Sequence, residues 1–311
     1  TLLKLGVSRN FCVVGGGAMH LNNAFVMHKE IKTVFCHHEQ SCAFAAEGYA
    51  KLTGDIATVS VTSGPGAANT INGVYSAWVD STPMFVIAGH PRYSTTVEAC
   101  GLDIRCRGVQ ELDIISMVKG ITKYAVMLTN PYEVKKAVVA AYNQAVHGRR
   151  GPVWISVPLD VQSAIIEEDE CVSIENSTDT LMPVSNSDLD EVIEAIRNAK
   201  RPLILTGTGI RYSGAMKDFY ELTKKISIPI VGGALLADTL PEKYPLYFGM
   251  SGNIGPRAGN YIIQHSDCIL VLGNSLSTRQ TGFNVEGFAP DANIIMVDAC
   301  QDEMKKPGLK V

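Results

Sequence analysis

The amino-acid sequence predicts an α/β protein with two doubly wound parallel-sheet domains. Three observations carry this expectation. Short apolar, β-branched runs alternate with longer segments of helical character, and strands separated by helices of about 10 to 15 residues require crossovers that cover both faces of a parallel sheet. Glycine turns follow several of those runs. An acidic, polar stretch, residues 167–187 (EEDECVSIENSTDTLMPVSNS), interrupts the alternation, which resumes after it. That stretch reads as a linker between a first domain, 1–166, and a second, 188–311. The length, 311 residues, agrees with about two domains of roughly 150 residues each.

In the first domain, Phe11 to Val14 reads as a strand, ended by the turn Gly15-Gly16-Gly17, and Met19 to His28 as a helix. Thr33 to Cys36 is a second strand. Glu39 to Leu52 is rich in Ala, the best helix former, and Gly54 stops it. Ile56 to Val61 (IATVSV) is a strand, Ser63-Gly64-Pro65-Gly66 a turn, and Ala67 to Val79 a helix. Pro83 to Ala88 reads as strand, Tyr132 to His147 as helix and Val153 to Val157 as strand. In the second domain the order is helix Asp188 to Asn198, strand Pro202 to Leu205, helix Met216 to Lys225 and strand Ile228 to Val231. Helix Arg257 to His265 and strands Cys268 to Leu272 and Asn293 to Val297 complete it.

Composition excludes several function classes. With 46% hydrophobic and 19% charged residues, the chain can bury sizeable cores and is not disordered. Lys plus Arg number 27 against 31 Asp plus Glu, a formal charge of −4 with no basic block, so no nucleic-acid footprint is expected. No run reaches about 18 apolar residues, so no membrane-spanning helix is expected. No charged n-region precedes an apolar h-region, so no secretory signal is expected. Eight cysteines form no CxxC pair, and several lie in apolar runs. Free thiols in a reducing cytoplasm are predicted, with Cys100 and Cys106, which share a loop, as the pair left open. Residue 1 is Thr, so the chain is expected to begin inside a longer gene product.

Three glycine loops follow predicted strands: Gly15 to Ala18, Ser63 to Asn69 and Gly207 to Gly209. Ligands of open parallel sheets bind at the carboxyl ends of strands. None of these loops has the GxGxxG or GxxxxGK[ST] spacing, so each also reads as a tight strand-to-helix turn. His37-His38-Glu39-Gln40 follows a strand and opens the Ala-rich helix, which places a carboxylate in the positive field of a helix N-terminus. The same Glu also reads as a cap on a solvated end. HHE lacks the spacing of a zinc site, and no metal site is expected in this chain. Ser63 lacks the GxSxG elbow of a hydrolase.

The run His38-Glu39-Gln40, then FAAEGYA at 44–50, then TSGPGAAN at 62–69 resembles the thiamine-diphosphate enzymes of the acetolactate synthase group, in order and spacing that fit their pyrimidine-binding domain. Gln110-Glu111, Ile121-Thr122-Lys123, Gly151-Pro152-Val153 and VPLDVQ at 157–162 extend the match. Arg201-Pro202, Gly249-Met250, Ala258-Gly259-Asn260, the run 267–273, Arg279, Thr281-Gly282 and Val297-Asp298 resemble the family's central, Rossmann-like domain. The resemblance covers essentially the whole chain.

It implies decarboxylation of a 2-keto acid and carboligation of the product to a second carbonyl. Glu39 takes the position of the glutamate that hydrogen-bonds N1′ of the coenzyme's aminopyrimidine, favouring the imino tautomer that deprotonates the thiazolium. Gly16, Gly17, Ser63, Gly64, Pro65, Gly66 and Asn69 fall at cofactor-binding positions. Gln110 falls at a catalytic position facing the substrate and Lys123 at one near the access channel, while Arg105 and Arg107 are candidate substrate-side residues of the segment 89–111, which departs from the family's pattern. The implied cofactors are thiamine diphosphate and Mg2+, the metal being held by a C-terminal diphosphate-binding domain with GDG and Asn-Asn motifs. Neither motif is complete here: Gly54-Asp55 lacks the second Gly, and Asn22-Asn23 lies upstream. Some members hold FAD in the central domain, where Gly207, Gly209 and Arg279 stand.

The chain is therefore expected to be part of a longer enzyme, a subunit completed by another chain, or a non-catalytic or regulatory paralogue. A homodimer or homotetramer, or a separate subunit carrying the diphosphate domain, is implied. Two departures bear on the substrate. Gly15 stands where the family usually has Pro, and residues 89–111 run longer than in typical acetolactate synthases by roughly eight residues. That segment carries Arg92, Arg105 and Arg107, which suits a carboxylated or phosphorylated substrate, and it also reads as a surface excursion. A lyase or hydrolase acting on another carbonyl compound stays open, since family does not fix substrate.

Overall fold

The computed structural model describes residues 1–177 and 183–311. The chain divides into two compact units, Thr1–Thr180 and Leu181–Val311. Residues 178–182 of the expected linker lie outside the described residues.

The first unit runs β1 Arg9–Cys12, α1 Met19–Met27, β2 Lys32–Phe35, α2 Glu39–Thr53, β3 Thr58–Val61, α3 Pro65–Asn69, α4 Ile71–Val79, β4 Met84–His90 and α5 Val97–Cys100. It continues with α6 Ile114–Val118, β5 Tyr124–Met127, α7 Val134–Val146, β6 Pro152–Pro158 and α8 Leu159–Gln162. Its six strands are all parallel, in the order β2-β1-β3-β4-β6-β5. Every residue of β3, β4 and β6 is buried. That is why these strands read as continuous apolar runs rather than as alternation. Alternate residues of β4 feed two cores. Met84, Val86 and Ala88, with Trp154 of β6, pack against Ala43 and Ala46 of α2 and Val74 of α4. Phe85 and Ile87, with Ile155, pack against Phe25 of α1 and Val138 and Ala141 of α7.

The second unit runs α9 Asn186–Asn198, β7 Pro202–Thr206, α10 Gly209–Tyr212, α11 Met216–Lys225, β8 Ile230–Gly232 and β9 Tyr247–Met250. Then follow α12 Arg257–His265, β10 Cys268–Leu272, α13 Thr278–Thr281 and β11 Asn293–Val297. Its five parallel strands are ordered β11-β10-β7-β8-β9, with a core on each face.

Differences from the expected elements have local causes. The helix expected over 67–79 starts at Pro65 and breaks at Thr70, whose hydroxyl donates to Ala67 O at 2.6 Å. Helix α9 starts at Asn186 because Ser185 and Asp188 form a reciprocal capping box. Two edge strands, β5 and β9, were not expected; every residue in both is half-buried, which leaves no alternation to read. The start of the expected linker packs on the first unit. Val172 N–H donates to Tyr132 O at 2.8 Å, and Lys136 N–H donates to Val172 O at 3.1 Å. All eight cysteines are free thiols. Among the described residues no helix is long and apolar enough to cross a membrane.

Candidate active site

A parallel sheet sends all of its carboxyl ends to one edge. In the first unit that edge gathers the Gly15–Gly17 turn after β1, His37-His38-Glu39 after β2, the Thr62–Asn69 turn after β3, the long loop after β4 and Asp160 to Gln162 after β6.

Glu39 is the first residue of α2. His38 is extended (φ −154°, ψ 140°), and its Nδ1 accepts Gln40 N–H at 3.1 Å, which caps the helix and fixes where it starts. The Glu39 carboxylate is half-buried, and Oε2 accepts from Asn69 Nδ2 at 3.0 Å. Its other oxygen, Oε1, lies 3.2 Å from where a Cβ on Gly66 would stand, and Thr62 Cγ2 lies 2.6 Å from that point. Gly66 therefore leaves room for the carboxylate.

The turn is assembled by close backbone approach. Gly17 N–H donates to Thr62 Oγ1 at 3.0 Å, and a Cβ on Gly17 would stand 2.5 Å from Ser63 Oγ. Ser63 is thus buried packing between two turns. Gly64 adopts φ 57°, ψ −117°, a region open essentially to glycine. A Cβ there would collide with the Gln110 carbonyl oxygen and stand 2.9 Å from Gln110 Cβ. Pro65 opens α3, where its missing N–H costs nothing. Gly16 has no atom within 4 Å of its Cβ position and faces open space.

Gln110 is exposed, with φ 57°, and meets the turn through its main chain. Its neighbour Glu111 carries more of the local structure. Glu111 Oε1 accepts Val97 N–H at 2.6 Å, and Oε2 accepts Gly108 N–H at 2.8 Å and Arg107 N–H at 3.0 Å. Burial pushes the Glu111 carboxyl up, but the three backbone donors together with nearby His90 outweigh it and hold the group below the ordinary carboxylate range. Asp160 accepts Tyr93 N–H at 3.0 Å and Ser94 N–H at 3.4 Å. Gln162 donates to Gly17 O at 2.8 Å and to Val157 O at 2.7 Å. The sequence matches had placed Glu111, Asp160 and Gln162 within family motifs without giving them a role. Their signal was a carboxylate or amide directly after a strand or a long loop.

The remaining expected site residues are spread over the long loop, the amino edge of the sheet and the second unit. Arg105 and Arg107 are exposed on the long loop; Arg107 Nη1 donates to Ser94 O at 3.0 Å. Lys123 precedes β5, at the amino ends of the strands, and its ammonium donates to His147 O at 2.7 Å. The structure does not bring it together with Glu39. Gly207, Gly209 and Arg279 belong to the second unit. Cβ atoms on the two glycines would collide with the turn after β10: one on Gly207 would stand 2.5 Å from Asn274 Cα, and one on Gly209 2.6 Å from Gly273 Cα. Arg279 is exposed, and its carbonyl accepts Asn253 N–H at 2.9 Å. Among the described residues no group of three or more His, Cys, Asp or Glu is placed to hold a metal ion. Beneath Glu39, burial and then the neighbouring Cys36 push the Cys42 thiol above its ordinary value.

Residues 1–117 match the family described as thiamine pyrophosphate enzyme, N-terminal TPP binding domain, and residues 189–308 match the thiamine pyrophosphate enzyme central domain. The chain is 32% identical over 308 residues to the acetolactate synthase large subunit of Lactococcus lactis subsp. lactis, covering 98% of this chain and 52% of that protein. It is 32% identical over 295 residues to the acetolactate synthase isozyme 1 large subunit of Escherichia coli (94% of this chain, 50% of that protein). It is 31% identical over 310 residues to the chloroplastic acetolactate synthase of Arabidopsis thaliana (98% and 44%). The chain spans about half the length of the curated relatives it matches. Two parallel-sheet units in this order, the first with Glu39 against the Gly64–Gly66 turn, thus match the N-terminal and central domains of the thiamine pyrophosphate enzymes, and the chain belongs to that family.

Proposed function

We propose that residues 1–166 form the pyrimidine-binding side of a thiamine-diphosphate site for decarboxylation and carboligation of a 2-keto acid, and that Glu39 is its proton-handling carboxylate. The observation that supports this is the Glu39–Asn69 pair, 3.0 Å apart, over Gly66. Asn69 occupies Oε2, so the proton is exchanged at Oε1 with the aminopyrimidine ring nitrogen. Gly64 and Gly66 let Gln110 and Thr62 close on the turn, with Oε1 of Glu39 beside Gly66. A carboxylate, an amide that orients it and a Cβ-free turn are a donor set that fits an aminopyrimidine. When bound, the coenzyme supplies a nucleophilic carbon and an electron sink for the carboxylate's departure. The chain's own part is to orient the ring and to hold or release its proton at Oε1.

Mg2+ and the diphosphate are assigned to a domain outside the described residues, which offer no metal cluster. Gly207 and Gly209 close on Gly273 and Asn274 of their own sheet, so FAD is not needed to explain them and has no part in the proposed chemistry. Residues 188–311 are assigned as the central domain, joined through the segment 167–187. Assembly with a second chain is proposed from exposed apolar residues on the elements that carry the site: Val34 and Phe35 on β2, Phe44 on α2, and Tyr75 and Val79 on α4. Eight free thiols suit the reducing cytoplasm, which is the proposed compartment.

The test is Glu39→Gln in the complete enzyme. Turnover of the 2-keto acid is expected to fall by more than about a hundredfold. Coenzyme binding, read by tryptophan quenching, is expected to persist. Near-normal turnover in this variant overturns the assignment.

A further inference from the structure

We propose that the long loop after β4 is a fixed wall of the substrate pocket, and that Glu111, with Asp160 at the opposite end, is the positioning residue that holds it. This rests on the assignment of the active site to Glu39.

The loop leaves the carboxyl end of β4 at His90 and returns to α6 at Ile114. Its tip is solvated: residues 101–107 are all exposed, as is Val109. A loop of that composition has little apolar burial to hold one conformation. What holds it is a set of ionic hydrogen bonds at its two ends. Asp160 takes the amides of Tyr93 and Ser94 on the outgoing limb. Glu111 takes the amides of Val97, Arg107 and Gly108, drawing the middle of the loop onto its returning limb. Arg107 joins the two clamps through Ser94 O. His90 lies between the limbs, with Nδ1 3.3 Å from Pro91 O and Nε2 3.4 Å from Leu112 O. A carboxylate bound by several main-chain N–H groups makes hydrogen bonds roughly twice as strong as neutral ones, and it specifies the backbone rather than a side chain.

Both clamps are wired to the glycine turns of the active site. Two residues beyond Asp160, Gln162 holds Gly17 O. One residue before Glu111, the main chain of Gln110 packs on Gly64 in a left-handed conformation that a non-glycine residue keeps only under external constraint. Gly64 heads the turn whose Gly66 and Asn69 meet Glu39. A purely decorative excursion needs no such attachment. A pocket wall does, because a substrate carbonyl must be held against the reacting carbon within a fraction of an ångström to gain from proximity.

The experiment compares wild type, Glu111→Gln and Glu111→Asp in the complete holoenzyme, with pyruvate and 2-ketobutyrate as probes. Glu111→Gln replaces one acceptor oxygen with a donor facing main-chain N–H groups. It is expected to raise KM by about tenfold or more, to change kcat by less than about threefold, and to leave coenzyme affinity and Tm near wild type. Glu111→Asp is expected to restore part of the KM loss. Tryptic cleavage after Arg105 and Arg107 is expected to accelerate by about tenfold in Glu111→Gln, since the wall is released. An unchanged KM, or KM, kcat and Tm worsening together, overturns the positioning role. Unchanged cleavage overturns the clamp whatever the kinetics. If wild type turns over neither probe, or Glu39→Gln keeps full turnover, the active-site assignment has failed instead, and the cleavage result shows whether the clamp stands.

Discussion

Replacing Gly64 by Ala tests the site's construction without reference to any ligand. The added methyl meets two separate penalties. It collides with the Gln110 carbonyl oxygen, and it stands 2.9 Å from Gln110 Cβ. Overpacking of that kind costs about 1–3 kcal/mol. It also forces a residue with a Cβ into φ 57°, ψ −117°, which costs about 1–3 kcal/mol more. Gly64→Ala is therefore expected to lose about 2–6 kcal/mol, a large part of the roughly 5–15 kcal/mol that holds a domain folded. Gly89→Ala separates the two terms. Gly89 is not at positive φ, and its added Cβ would meet the Gly17 carbonyl and stand 2.7 Å from Ala18 N, so only the overpacking cost of about 1–3 kcal/mol applies. Gly16→Ala has nothing within 4 Å of the new atom, and a change within about 0.5 kcal/mol is expected. The assay is urea unfolding followed by tryptophan emission. The two tryptophans, Trp78 and Trp154, both belong to the first unit, so the signal reports that unit alone. If Gly64→Ala unfolds within about 0.5 kcal/mol of Gly16→Ala, the Gly64–Gln110 contact does not exist and the wiring of the loop to the site falls with it.

Two further perturbations probe the ground beneath Glu39. Lys51 reaches Glu47 at 2.7 Å and Asp80 at 2.5 Å, tying α2 to the end of α4, and Glu47 is nearly fully buried. Burial lowers the Lys51 ammonium, but hydrogen bonds and charge from Asp80 and Glu47 overcome it and raise the group above the ordinary lysine value. A raised cation stabilises fully below its unfolded value, about 10.4, and the gain is lost as pH climbs through the higher folded value. Because the Lys51 side chain is 30% exposed, Lys51→Met is expected to cost only about 1–2 kcal/mol at pH 7, a gap from wild type that closes in strongly alkaline buffer; a constant gap at all pH values would refute the ionic account. Brief iodoacetamide labelling of the native protein, mapped by peptide mass, is expected to modify exposed Cys106 first and to spare buried Cys12 and Cys42, whose thiols burial pushes up; Cys42 reacting as fast as Cys106 would contradict the packing under α2.

What was legible in the sequence divides by range. The central strands were legible because burial on both faces makes them continuous apolar runs, and α2 because Ala content and Gly54 mark its body and its end. The placement of Glu39 at a helix start facing the Ser63–Asn69 turn was legible because it depends only on that start and on the short turn that supplies Asn69. Edge strands β5 and β9 were not: half-buried throughout, they carry neither alternation nor a solid apolar run. Nor was the part played by Glu111. Its acceptors are spent on amides three, four and fourteen residues away, and a carboxylate bound to main chain leaves no side-chain partner to spot. Lys123 shows the converse. A basic residue in a family motif reads as substrate-facing, yet parallel topology puts any residue preceding a strand at the edge away from the carboxyl ends.

The contacts that join the long loop to the Glu39 turn run through glycine positions: Gly89 on the Gly17 main chain, Gly17 on the Thr62 and Ser63 side chains, and Gln110 on Gly64. Such contacts depend on where the chain runs and very little on which side chains the loop displays. Residues 101–105 are exposed and none of them stands at these glycine junctions, so they are free to vary in charge and size without disturbing the carboxylate, whereas Arg107 is tied to Ser94 O and to Glu111. Glu111, Asp160 and the glycines are not free in that sense, since each fixes a path of the backbone. The division has a functional consequence under the proposed assignment. Substitutions at Arg105 are expected to alter which carbonyl compound is accepted while leaving the proton chemistry at Glu39 intact, whereas substitutions at Gly64 or Gly66 reach the carboxylate whatever the substrate.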